Sequence, residues 1–300
     1  MKASNRIGSW LTTAVVLGLV TSIVHAEDAE ITALRGRLDT AQMLGKSGIA
    51  AALKGRKPTG TRSVNVDALL RAVEQGSGEA RSLAWARSTT VDGEDTAQAT
   101  DRTFSFDRRS SRVMLRDARG YAAASKNRAS DTALIAKSRP VLEALGATSD
   151  ETKIVIRSLM AQDKEGNGAR AQAREIARKV MVTREIAGIP VEGDGVVLTY
   201  TADGSLRKVS GVWHPIDFDK SRLSTESTDT QVSEGALKRI EDESLKSRLG
   251  ISAAGKVKIR TVFVPVDGGD GRTVLVPEGR VEVPVTGRQA PMTMVLDFAL

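Results

Sequence analysis

From residue 153 to residue 300 apolar side chains recur at every second position in short runs, and Gly, Asp and Pro crowd the joins between them. A period of two sends alternate side chains to opposite faces of an extended chain, so such a sequence folds into sheets with one buried face. The runs are Lys153–Met160, Arg178–Ile186, Val196–Thr201 and Leu206–Trp213, then Lys256–Val266, Arg272–Val276, Arg280–Val285 and Met292–Leu300. In the last, Met292, Met294, Leu296, Phe298 and Leu300 share one face. Asp163–Gly168, Gly193-Asp194-Gly195 and Asp203-Gly204 read as turns, and Asp-Gly suits a type I′ hairpin. Each set of runs follows a helical pattern. Ser130 or Asp131 caps a helix carrying Leu134, Val141, Leu142 and Leu145, with Pro140 either kinking it or opening it. Val232, Ala236, Leu237 and Ile240 line a second helix that Gly250 stops. The expectation is an α+β chain of two tandem units, each a helix packed on an antiparallel four-stranded sheet.

The N-terminal part reads differently. Lys2 and Arg6 precede an apolar run from Trp10 to Val24, and Val24-His25-Ala26 supplies small residues before Glu27. This is the pattern of a secretory signal peptide over 1–26, which makes the product secreted or periplasmic with no transmembrane span after cleavage. Residues 27–57 show helical spacing, Gly55–Gly60 breaks it, and Val64–Val73 is a second amphipathic segment. Gly76–Thr100 reads as linker; Phe104 and Phe106, then Val113 and Leu115, read as a hairpin turning at Arg108–Ser111. The boundaries are therefore 27–129 for a helical, linker and hairpin region, 130–222 for the first α+β unit and 223–300 for the second.

Composition removes several functions. With no Cys in 300 residues there is no disulfide framework, cysteine nucleophile or zinc ribbon, and only His25 and His214 supply imidazoles. Residues 27–128 carry a net charge of +5 and residues 129–300 a net charge of zero. The bases concentrate at Arg102–Arg128, where Arg108, Arg109, Arg112, Arg116 and Arg119 form a candidate patch for an anionic envelope polymer or lipid, or else a solvated hairpin. Export and an aromatic content of 3% disfavour nucleic acid.

The string Trp213-His214-Pro215-Ile216-Asp217 suggests an acid–base pair, but no Gly-x-Ser-x-Gly elbow accompanies it. Asp267-Gly-Gly-Asp-Gly271 lacks the oxygen ligands of a calcium loop, and Gly193-Asp-Gly195 joins strands and not a strand to a helix. Gly188-Ile189-Pro190-Val191 reads as a bulge or edge, open to pairing with an extended segment of a partner.

The stretch from Val182 to Gly211 resembles the propeptides of thermolysin-like metallopeptidases, in which a so-called FTP segment precedes a PepSY domain. The matching elements are Gly188-Ile189-Pro190-Val191, the glycines around Asp194, Val196–Tyr200, Asp203-Gly204 and Val209-Ser210-Gly211. The resemblance implies cystatin-like units over 130–300. Arg184 and Ile186 stand where that family carries a Gln and an aromatic, and no His-Glu-x-x-His occurs. The expectation is a stand-alone, non-enzymatic module with no cofactor or metal, which inhibits or helps to fold a secreted metallopeptidase or another envelope partner. Its partner would be met by Arg184, Ile186, Gly188, Ile189, Pro190, Val191, Trp213 and His214.

Overall fold

The structure, a computed structural model, describes residues 32–42, 64–78, 84–91, 93–119, 121, 128–161, 173–218, 229–247, 255–268, 273–286 and 291–299. The fold is mostly β and divides into two compact units that do not follow chain order. The larger comprises Ala50–Leu223 with Val262–Val276; the smaller comprises Met1–Ile49, Ser224–Thr261 and Pro277–Leu300.

The larger unit is built on an antiparallel sheet. Its strands are β2 (Ala86–Thr89), β3 (Glu94–Ala99), β4 (Arg102–Asp107), β5 (Arg112–Asp117), β6 (Thr152–Ala161), β7 (Arg174–Ile186), β8 (Ile189–Thr201) and β9 (Leu206–Val212). They lie side by side in the order β6-β7-β8-β9-β5-β4-β3-β2. Helices α1 (Val66–Gly76) and α2 (Asp131–Ala144) bury one sheet face. Leu69, Leu70 and Val73 of α1 and Leu134, Val141 and Leu142 of α2 meet Phe104, Phe106, Val113, Leu115, Val180, Val182, Leu198 and Val209 there. Both helices start on side-chain caps: Asn65 Oδ1 accepts from the Ala68 N–H at 3.0 Å and Ser130 Oγ from the Ala133 N–H at 3.1 Å. Ser138 and Tyr200 join α2 to β8 through a buried 2.8 Å hydrogen bond between their hydroxyls. Strand β10 (Ile216–Phe218) pairs parallel with Thr273–Leu275, and Phe263 bridges Val191.

Strands β11 (Val257–Asp267) and β12 (Thr273–Thr286) each run through both units; in the smaller one β1 (Leu38–Gln42) pairs parallel with residues 257–260 of β11, and residues 278–286 of β12 pair antiparallel with β13 (Pro291–Ala299). Ala236, Leu237 and Ile240 of α3 (Asp229–Ser247) share its core with Leu34, Val257, Ile259, Val281, Val283, Val285, Leu296 and Phe298.

This overturns the tandem cystatin-like arrangement of a helix on four strands repeated twice. Strands β2–β5, assigned by sequence to a separate N-terminal region and partly to a linker, complete the sheet of the larger unit, because β5 pairs with β9 from Arg112↔Val212 to Arg116↔Lys208. Their outward positions are polar, so β2 and β3 looked like linker although Asp95 and Ala97 are buried. Within 27–57, residues 32–35 are helical as expected, whereas Leu38–Gln42 is extended; the rest of that reading lies outside the described residues, apart from 36–37. Pro140 neither opens nor ends α2, which runs through it. Gly193-Asp194-Gly195 is not a turn between strands but an insertion inside β8. The tight turn is Ala187-Gly188, with φ +53° and +85°, joining Ile186 to Ile189 as a type I′ hairpin demands. At Asp203-Gly204 only Gly204 has positive φ, +87°, so the β8–β9 hairpin exists with a longer turn than type I′. Among the described residues no helix is long and apolar enough to cross a membrane.

Candidate functional site

Two groups of charged side chains stand on opposite faces of the eight-stranded sheet. The first surrounds Arg184. Thr152 lies opposite Arg184, which brings Glu151 of the preceding turn alongside it. On the other side, β7 pairs Thr183 with Gly195 and Glu185 with Pro190, so residues 191–194 are inserted opposite Arg184. That insertion, with Gly193 at φ +76°, turns Asp194 into the interior. Arg184 Nε and Nη2 donate to Glu151 Oε2 at 3.1 and 2.7 Å, and Nη1 donates to Asp194 Oδ2 at 3.0 Å and to the His214 carbonyl at 2.7 Å. His214 Nδ1 lies 2.5 Å from Asp194 Oδ1. The guanidinium also sits 4.9 Å over the Trp213 ring. Arg184 and Asp194 side chains are 1% and 0% exposed, so this is a dry clamp whose groups satisfy one another.

That clamp gathers Arg184, Trp213 and His214, three residues the sequence assigned to partner binding, and supplies the reason for each. Ile186, Ile189 and Val191 are buried core residues as well; Gly188 is exposed as a turn residue and Pro190 is half-buried. The imidazole is paired with Asp194, a residue sequence spacing did not connect to it.

The Arg102–Arg128 segment does not form one patch. Arg102 is buried with its Nε 3.0 Å from Asp117 Oδ2, an oxygen that also accepts from Arg207 Nη1 at 2.8 Å and Arg119 Nη2 at 2.5 Å. Arg108 Nε donates to Asp95 Oδ2 at 2.7 Å. That bond holds the Asp95 carboxyl below the usual range, against its burial, and raises the Arg108 pKa. The Arg109 N–H caps Asp107, whose carboxyl is lowered chiefly by the Ser110 hydroxyl against its burial. Arg112, the first residue of β5, faces Asp107 on β4, and Arg116 points outward further along the strand.

Register joins Arg116 to three cations that sequence reasoning missed. On β5 and β9 Arg116 is opposite Lys208; on β9 and β8 Lys208 is opposite Thr199; on β8 and β7 Thr199 is opposite Lys179; on β7 and β6 Lys179 is opposite Arg157. Arg157, Lys179, Lys208 and Arg116 thus form one line across five strands, about 19 Å long at 4.8 Å per strand. Among the described residues none of the four makes an ion pair. Two like-charged pairs stand directly opposite, an arrangement that costs stability in a sheet. The parallel line beside it, Val155, Met181, Val197, Ser210 and Met114, carries no charge. Alternation of the sequence places the four cations on the face opposite the helices, with Thr199 buried between Lys179 and Lys208, but only pairing brings them together. Among the described residues no group of acidic and histidine side chains is arranged to hold a metal ion.

No family model matches the chain, and no curated protein matches it. Among solved structures it is similar to an uncharacterized protein from Eubacterium rectale ATCC 33656, with 6% sequence identity, 80% of each chain covered and a TM-score of 0.42.

Proposed function

We propose that this chain is an exported binding protein, without catalysis of its own, whose outward sheet face holds an anionic polymer. The observation that carries the reading is the line Arg157–Lys179–Lys208–Arg116, in which cations are set against cations with no carboxylate among the described residues to offset them. Self-repulsion of that kind is relieved by a bound anion, and its field concentrates anions near the face. The site differs from the arginine segment read from sequence: Arg116 remains, while Arg108 and Arg119 are engaged by Asp95, Asp101 and Asp117. A peptidase docking on Ile186–Val191 is not carried forward, because Ile186, Ile189 and Val191 already pack in the interior.

The test is binding of the purified protein to immobilised dextran sulfate. Retention at 0.01 M salt should weaken steeply by 0.15 M, as the screening length falls from about 30 to about 8 Å. Lys208→Glu combined with Arg116→Glu should lower affinity about tenfold, the equivalent of roughly 1.4 kcal/mol. Binding that ignores both salt and the double substitution overturns the reading.

A further inference from the structure

The line of cations does not end at Arg116. Thr103 is opposite Arg116 on β4, and Gln98 is opposite Thr103 on β3; both are exposed. Beside them Ser105 is opposite Met114, Thr96 is opposite Ser105 and Ser88 is opposite Thr96. These side chains share the outward face and line a groove of ≈ 430 Å³, walled by Ser88, Thr96, Gln98, Thr103, Ser105 and Met114. Ser88 Oγ and Thr96 Oγ1 are bonded to each other at 2.7 Å, whereas Gln98, Thr103 and Ser105 make no side-chain hydrogen bond among the described residues. One face therefore presents a cationic half on β6–β5 and, continuous with it in register, a concave half in which Ser88, Thr96, Gln98, Thr103 and Ser105 set hydroxyl and amide groups among the apolar Ala86, Ala97, Phe104 and Met114, with Arg87 paired to Asp67.

Resting on the anion-binding reading above, we infer that the ligand is an acidic polysaccharide laid across the strands, its acid groups on Arg157, Lys179, Lys208 and Arg116 and its hydroxyls in the groove. Hydroxyl and amide side chains both donate and accept, which suits sugar hydroxyls and is wasted on a polyphosphate that only accepts. Ring stacking contributes nothing, because the outward residues named on both halves include no aromatic side chain; charge must therefore supply the affinity and the groove the selectivity.

The experiment compares polygalacturonate, polyphosphate, neutral dextran and vesicles containing phosphatidylglycerol, each titrated into the full protein and two variants whose unfolding midpoints match the unaltered chain. Thr103→Val combined with Gln98→Leu should weaken polygalacturonate three- to tenfold, the worth of one or two lost hydrogen bonds, and leave polyphosphate unchanged. Lys208→Glu combined with Arg116→Glu should weaken both polyanions, and dextran should not bind. Polygalacturonate that fails to bind, or binds the groove variant as tightly as the unaltered chain, overturns the polysaccharide inference while polyphosphate binding keeps the anion reading. Vesicle binding stronger than polygalacturonate binding overturns it in favour of a lipid surface. Polyanion binding untouched by the charge-reversing variant overturns both readings.

Discussion

On the helix-covered face of the larger unit's sheet every buried guanidinium meets a carboxylate, and on the bare face the cations meet one another. Arg184 has Glu151 and Asp194, Arg102 has Asp117, and Arg178 has Asp131. A charge taken out of water is tolerated only when paired and hydrogen-bonded, so the covered face admits no other solution. The bare face is free of that constraint, because water solvates an unmatched charge at little cost. Charge matching on one side thus reports what the fold requires, and mismatch on the other reports what the fold leaves available to a ligand.

The sharpest way to break the comparison is Arg184→Met. It leaves the carboxylates of Glu151 and Asp194 buried without their cation, and should lower the free energy of unfolding by about 3–5 kcal/mol in denaturant titrations. Polyanion affinity of the molecules that remain folded should not change. Only a small stability loss would mean the clamp is open to water, contrary to the 1% exposure of the Arg184 side chain.

A second measurement probes the covered face by pH. Burial raises the Tyr200 pKa to about 12, against a smaller opposing effect of its bond to Ser138. The folded state therefore holds the phenolic proton where the unfolded chain, titrating near 10, has released it. This stabilisation is complete below about pH 10 and is lost as pH rises towards 12, on the order of 2 kcal/mol over the window. Phenolate absorbance should show a late step that disappears in Tyr200→Phe. The same late step in both proteins would mean that it does not belong to Tyr200.

The smallest expected effect tests the bare face and has the opposite sign. Lys179→Glu sets a carboxylate opposite Arg157 and ends one like-charged pair, so it should raise stability by about 0.2–1 kcal/mol. The same substitution should weaken dextran sulfate binding. A variant both more stable and poorer at binding is the signature of a site kept at the expense of the fold. Loss of stability would mean that the repulsion between Lys179 and Arg157 is already offset.

Individual strands were legible because their cause is local. Phe104 and Phe106 against Val113 and Leu115 make the β4–β5 hairpin that alternation predicts, and Ser130 opens α2 as its capping chemistry demands. Where the cause is distant the sequence misled. Gly193-Asp194-Gly195 has turn composition, yet Arg184 and His214, far from local turn chemistry, hold Asp194 inside a strand. The string Gly188-Ile189-Pro190-Val191 suggested a partner-binding edge, whereas Ile189 and Val191 are core residues.

By itself the sequence determined the extended character of most of the chain, the Ser130 cap and two helices and the absence of any cysteine chemistry, since each follows from neighbours along the backbone or from counting. Tertiary structure alone decided that β5 pairs with β9, that Arg184 is matched by Glu151 and Asp194, and that Arg157, Lys179, Lys208 and Arg116 stand in one line. The physical reason is that alternation fixes which way a side chain points but not which strand lies beside it; strand order and register are settled by how the whole sheet buries one face, and a binding surface assembled across strands exists only once that is done.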